Sequence, residues 1–149
     1  MKKLKIYLDN CCFNRPYDDQ SQIKVALETE AKLYTQSLIA DGVIDLVWSF
    51  MLTFENNNNP YLEQKTEIAT WQSVAKEYIE KSENIAQMAK EIAATDVKTS
   101  DSIHVACAIS SNCDYFLTTD TRITKYKTDK IKIVTPIKFL EDWSENDDE

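Results

Sequence analysis

The stretch Thr99-Ser100-Asp101-Ser102-Ile103-His104-Val105-Ala106-Cys107-Ala108-Ile109-Ser110-Ser111-Asn112-Cys113-Asp114-Tyr115-Phe116-Leu117-Thr118-Thr119-Asp120 decides the fold. Ile103, Val105, Ala106, Cys107, Ala108 and Ile109 give a short helix that is apolar on nearly every side. Such a helix belongs in a core, not on a surface. It opens with a carboxylate, Asp101, just after the capping-type residues Thr99 and Ser100. The apolar strand Tyr115-Phe116-Leu117 follows and ends in Thr118-Thr119-Asp120. Two acids therefore bracket a buried helix–strand unit. A carboxylate beside a core is costly unless something compensates it. A divalent cation is the compensation this pattern predicts.

Upstream, residues 4–8 read as a strand in which Leu4, Ile6 and Leu8 alternate with Lys5 and Tyr7, and Asp9-Asn10 follows at once. A polar loop over 14–19 leads to a helix with Ile23, Leu27, Ala31, Tyr34 and Leu38 on one stripe. Asp41-Gly42 stops it. Residues 43–48 form a second strand, and Ser49 caps a short helix that runs to Glu55. Asn56 to Asn59 and Pro60 break the pattern. One helix is predicted from Pro60 to about Lys81, and a second, capped by Ser82, carries Ile85, Met88, Ala89 and Ile92. Beyond the central unit come a short turn with Arg122 and Ile123, a strand over 131–134, and a helix over 136–143. Strands separated by helices predict an α/β domain whose central parallel sheet, of about four strands, is flanked by helices. Ligands of such sheets bind beyond the carboxyl ends of the strands. The domain is expected over 1–143, with 144–149 as an acidic, disordered tail.

Several function classes are excluded. With a single glycine, Gly42, the chain holds neither a Walker loop nor a dinucleotide fingerprint. No apolar run is long enough to cross a bilayer. The basic start at Lys2, Lys3 and Lys5 has an apolar stretch that ends at Leu8, too short for a signal peptide. The four cysteines form no disulfide framework, which points to a reduced, cytoplasmic compartment. Cys11, Cys12, His104 and Cys107 lack the ligand spacing of a zinc site, and Cys107 and Cys113 read as small core residues. Net charge is −8, with six acids in the last nine residues, so no basic face announces nucleic acid. Such a partner would be gripped locally, by metal and a few cations.

Asp9 and Asp120 each follow a strand and are expected at one edge of the sheet. Asp101 begins the helix that returns to the third strand, and its start can face the same edge if the loop before it reaches over. Glu55 lies two turns into the helix after the second strand, with Glu28 and Glu30 as rival acids. Each acid has an ordinary use: an Asx turn for Asp9, the positive helix end for Asp101, a cap for Asp120. Together they form an all-oxygen set suited to Mg²⁺ or Mn²⁺, and they would repel one another without a cation. Arg15, Arg122, Lys125 and Lys127 follow the first and third strands and are candidates for holding phosphates, or simply solvated charges.

The pattern strand–Asp9, distant Glu55, Asp101-x-x-His104-x-Ala106-x-Ala108, then Asp114-x-Phe116-x-Thr118-x-Asp120 resembles a PIN-domain nuclease. VapC-type toxins of toxin–antitoxin systems are the best-known small members. The resemblance spans residues 4–140. It implies a Mg²⁺- or Mn²⁺-dependent endoribonuclease acting on RNA. Asp9, Asp101 and Asp120 would be metal ligands, Glu55 would orient a metal-bound water or share a metal, and Asn10 and Thr118 would support them by hydrogen bonds. His104, the sole histidine, is read as a packed residue supporting Asp101 one helical turn before it. Asn10 and Cys11 stand where the family commonly has a small hydroxyl residue. Family toxins are blocked by a small antitoxin, which becomes an expected partner. Homodimerisation through the helices between Ile23 and Ile92 is a further expectation. Two other classes compete: a PIN-like binding or assembly module that no longer cuts, and a small-molecule phosphohydrolase. The presence of all four acids favours the nuclease.

Overall fold

β-Branched and aromatic residues in short apolar runs build five strands: β1 (Lys5–Leu8), β2 (Asp45–Ser49), β3 (Glu77–Ile79), β4 (Tyr115–Leu117) and β5 (Lys132–Val134). The computed structural model describes residues 3–147. All the strand pairings are parallel, in the order β3-β2-β1-β4-β5. Ile6 lies opposite Leu46 and Tyr115, and Tyr7 opposite Val47 and Phe116. Ile6, Tyr7, Leu8, Leu46, Val47, Phe116 and Leu117 are fully buried, because helices cover both faces of the sheet. Those helices are α1 (Asn10–Asn14), α2 (Ile23–Ala40), α3 (Phe50–Asn57), α4 (Leu62–Val74), α5 (Glu83–Ala93), α6 (Thr99–Ser110) and α7 (Pro136–Asp147). The chain lays β2 and β3 on one side of β1, then β4 and β5 on the other. The strand order thus reverses between β1 and β4, and a crevice opens at their carboxyl ends. Among the described residues no helix is long and apolar enough to cross a membrane.

Two expectations need correction. The sheet has five strands, because the helix expected over 60–81 ends at Val74. Ala75 turns extended, Lys76 donates to the Leu46 carbonyl at 2.9 Å, and Tyr78 pairs with Trp48 at the sheet edge. Tyr78 and Ile79 fall in helical register with Trp71 and Ala75 by coincidence, and periodicity could not separate the two. On α2 the expected stripe faces outward for half its length: Ile23, Leu27 and Tyr34 are exposed. The inner face instead carries Glu28, Lys32, Thr35 and Gln36 beside Ala31 and Leu38. Lys32 is buried with Nζ 5.7 Å from the Phe13 ring centroid, and burial pulls its pKa down to about 8. Residues 10–14, given no element by the sequence, form α1 with Asp9 as its N-cap. α7 runs to Asp147, and residues 148 and 149 of the expected tail lie outside the described residues.

Three end signals act as the sequence predicts. Ser49 Oγ accepts from the Leu52 amide and caps α3, and Ser82 Oγ does the same for Ile85 and α5. At the end of α2, Gly42 adopts φ +76° and donates to the Ile39 carbonyl at 3.0 Å, while Val43 donates to Leu38 at 2.9 Å. These paired bonds satisfy the helix's last carbonyls and aim the chain into β2. No atom lies within 4 Å of where a Cβ would sit on Gly42, so a side chain there meets only backbone strain. Gly42→Ala is expected to destabilise the fold by about 1–2 kcal/mol, with Gly42→Asn costing less. Urea unfolding midpoints of the three proteins measure this.

Candidate metal centre

Asp9 sits at the carboxyl end of the central strand and is 5% exposed. Its extended backbone makes it the N-cap of α1, with Oδ1 accepting the Asn10 amide at 2.8 Å. Thr118, just past β4, donates its hydroxyl to Oδ2 at 2.9 Å, and the Cys11 thiol lies 3.4 Å from the same oxygen. The same Thr118 hydroxyl accepts the Asp120 amide at 3.0 Å, which ties the third strand-end acid to the first. The capping and ligand readings of Asp9 are therefore compatible: one oxygen edge holds the backbone and the rest faces the crevice.

Glu55 is brought to Asp9 by α3. Its Oε1 lies 2.6 Å from Nε2 of His104, and that nitrogen is 3.9 Å from Asp9 Oδ1. His104 is therefore bonded to Glu55, not to Asp101 as expected. It is buried, and its Nδ1 lies 2.6 Å from the Tyr7 hydroxyl, which lies 2.6 Å from Ser49 Oγ. Burial pulls the imidazole pKa down, but the Glu55 hydrogen bond and the charges of Asp9, Glu55 and Asp101 outweigh it and leave the pKa raised.

Asp9, Glu55 and His104 each offer a ligand atom, and these atoms all lie within 4.8 Å of one another. The two carboxylates are hard oxygen donors of the kind that suit Mg²⁺ and Mn²⁺. Asp101, in the first turn of α6, joins them electrostatically. Burial, then the charges of Asp9 and Asp120, push its carboxyl above the ordinary range. Asp120 is turned aside: Arg122 Nε donates to Oδ1 at 3.1 Å and Nη2 to Oδ2 at 2.9 Å, and this pairing holds its pKa low.

The other expected residues divide. Arg15 is turned into the fold, bonded to buried Glu28 at 2.6 Å and to Asp18 at 3.0 Å, so neither it nor the rival Glu28 reaches the acids. Glu30 is exposed on α2. Lys125 and Lys127 are exposed on the segment after Asp120. Asn10 lines a cleft of about 480 Å³ that opens beside Glu55 and includes Asn14, Tyr17, Asn59, Tyr61 and Gln64. Sequence reading missed Lys98, whose charge acts on both Asp101 and Asp120, although it precedes Asp101 by one turn. It also missed Tyr7 and Ser49. Alternation alone puts Tyr7 on the same strand face as Asp9, and that signal was available.

The raised carboxyl of Asp101 fixes a pH dependence. On folding it holds its proton to higher pH than the ordinary 3.8. Folding therefore loses stability as pH rises through that window, because the unfolded chain releases the proton first. Asp101→Asn should raise the melting temperature at pH 7 in EDTA, and the gain should disappear below the ordinary carboxylate range. Saturating Mn²⁺ should reverse it. Differential scanning calorimetry at the two pH values reads each sign.

The family model of the PIN domain matches residues 6–128. A chain of VapBC2 from Rickettsia felis, solved bound to a DNA fragment from their promoter, superposes with a TM-score of 0.56. The two are 10% identical, and the match covers 87% of this chain and 97% of that one, a likeness of fold. No curated protein matches the chain by sequence. The strand-end acids, the parallel sheet that gathers them and the extent of the family match place the chain in the PIN domain family of nucleases.

Proposed function

We propose that this protein is a Mg²⁺- or Mn²⁺-dependent endoribonuclease that hydrolyses phosphodiester bonds. One observation carries the reading: in a PIN-family chain, the carboxylates of Asp9 and Glu55 gather within 4.8 Å at the carboxyl end of the central strand, with the His104 imidazole beside them. Asp9, Asp101 and Glu55 would hold the ion, with Asp120 joining once Arg122 lets go. When bound, the ion supplies a water of lowered pKa and neutralises charge on the phosphate. Glu55 would keep Oε1 on His104, leaving Oε2 to share the ion or orient its water. Thr118 and the Asn10 amide hold Asp9 in place.

RNA as the substrate is supported by the cleft beside Glu55. Tyr17 and Tyr61 are exposed there, and Asn10, Asn14, Asn59 and Gln64 add amides. Aromatic faces with amide donors and acceptors suit unstacked bases of single-stranded RNA. Arg122, exposed and held only by a surface ion pair, is free to exchange Asp120 for a phosphate at little cost. A small antitoxin is the partner the reading carries. Its support is the VapBC2 likeness together with an apolar groove of about 500 Å³ between α2 and α7, lined by Leu27, Tyr34, Ile137, Leu140 and Trp143. A second copy of the chain is the competing occupant. A cytoplasmic location accords with four free cysteines.

Cleavage of a mixed single-stranded RNA pool tests the core of this reading. Activity with Mn²⁺ should vanish in EDTA, and Asp9→Asn should lower the rate at least about a hundredfold, beyond the usual loss from removing a mere ligand-supporting residue. Activity that survives EDTA would refute it. Arg122→Ala should act with opposite signs on two measurements. Calorimetry should show tighter Mn²⁺ binding, because Asp120 is released. RNA binding should weaken, with a salt dependence reduced by about one ion's worth.

A further inference from the structure

We infer that Ser49, Tyr7 and His104 form a positioning relay that aims Glu55 at Asp9, with His104 itself outside the ion's ligands. The inference rests on the proposed metal site. Its basis is an unbroken chain of short contacts: Ser49 Oγ to Tyr7 hydroxyl at 2.6 Å, Tyr7 hydroxyl to His104 Nδ1 at 2.6 Å, His104 Nε2 to Glu55 Oε1 at 2.6 Å. Ser49, Tyr7 and His104 are all buried, so no water competes for these bonds.

The relay joins four elements of the fold. Tyr7 is two residues before Asp9 on β1, so its hydroxyl and the Asp9 carboxylate leave the same strand face. Its ring is clamped by Phe116 of β4 in a stacked pair, with centroids 5.3 Å apart, and meets the imidazole edge-on at 5.7 Å. Ser49 ends β2 and caps α3 through the Leu52 amide, and α3 carries Glu55. One hydroxyl therefore anchors both the start of the helix that bears Glu55 and the imidazole that holds its carboxylate. Glu55 is only half-buried and sits on a helix of eight residues. Without His104 its side chain would sample several rotamers, and each would place the carboxylate differently relative to Asp9.

The relay works with the imidazole neutral or charged. Nε2 donates to Glu55 in both forms, and Nδ1 either accepts from the Tyr7 hydroxyl or donates to it. This role differs from that of a ligand. An imidazole bound to the ion through Nε2 would have to give up Glu55.

His104 is the only histidine, so nitrogen-15 NMR of the uniformly labelled parent protein reads the relay without any variant. Nε2 should carry a proton that exchanges slowly. An unprotonated Nε2, or one exchanging as freely as a surface imidazole, overturns the inference. Pulsed EPR of bound Mn²⁺ should show no directly bonded nitrogen, and a ligand nitrogen coupling overturns it too. Tyr7→Phe keeps the ring but removes the bridging hydroxyl. It should weaken Mn²⁺ binding about tenfold or more, measured by calorimetry on the folded fraction. In a Glu55→Ala background the same substitution should have no further effect. An unchanged Mn²⁺ affinity, or equal losses in both backgrounds, overturns the relay. The nuclease reading fails separately: Mn²⁺ binding that responds to Tyr7→Phe with no RNA cleavage refutes that reading alone. Cleavage indifferent to Tyr7→Phe refutes the relay alone, and a parent that binds no Mn²⁺ refutes both.

Discussion

Burying the Asp9 carboxylate at the end of the central strand is the constraint from which the rest follows. A carboxylate at 5% exposure needs hydrogen bonds on its oxygens to offset the cost of burial. Its donors come from two directions: the first amide of α1 and the hydroxyl of Thr118. The second is available only if β4 lies directly beside β1. The Asp9 amide enforces the same neighbourhood, donating to the Leu117 carbonyl at 2.9 Å. The strand reversal between β1 and β4 and the satisfaction of one buried acid are thus a single arrangement. The crevice between these strands is where a parallel sheet binds its ligand.

Gathering further acids around Asp9 raises the electrostatic cost, and the structure meets it with unequal partners. His104 and Glu55 share a short bond in the interior, where an imidazole charge is weakly screened. Asp120 takes Arg122, at the surface, where the pair adds little. Among the described residues Asp101 has no such bonded cation; burial and the charges of Asp9 and Asp120 raise its carboxyl, and His104 and Lys98 oppose them only through space. The acids deepest in the crevice are bound most firmly. Those at its rim are free to change partner.

The legible parts of this architecture were those with local causes. Strand β4, the Ser49 and Ser82 caps and the end of α2 at Gly42 each depend on residues within a few positions. So does the placement of Asp9 and Asp120 after strands that proved adjacent. The failures have non-local causes. β3 exists because Leu46 and Val47 offer an open edge to the chain after Val74, not because 77–79 has an unambiguous pattern of its own. The inner face of α2 reads as polar because its lysine and glutamate are matched by Phe13 and Arg15 from another segment. His104 lies one turn from Asp101 in sequence, yet its nitrogens go to Tyr7 and Glu55, 97 and 49 residues away. A helix fixes which residues share a face, but the neighbours of that face belong to the fold.

The same separation explains how assembly and chemistry are linked. Asp9, Tyr7, Ser49 and Glu55 all come from residues 7–55 of the chain, and His104, Thr118 and Asp101 from residues 101–118. Neither group completes a site alone. Asp9 lacks its Thr118 donor, and Glu55 its imidazole, until α6 and β4 dock against β1. That docking buries Tyr7, Phe116, Val105 and Ala106 together, so the apolar gain of closing the core is what drives the acids into proximity. One imidazole offsets roughly one carboxylate at such range, yet Asp9, Glu55 and Asp101 converge. Folding therefore gathers negative charge in the crevice, the charge that a divalent ion would match under the proposed function. In this chain the hydrophobic core provides the energy that gathers the acids, so the fold and the charge of its crevice have one physical origin.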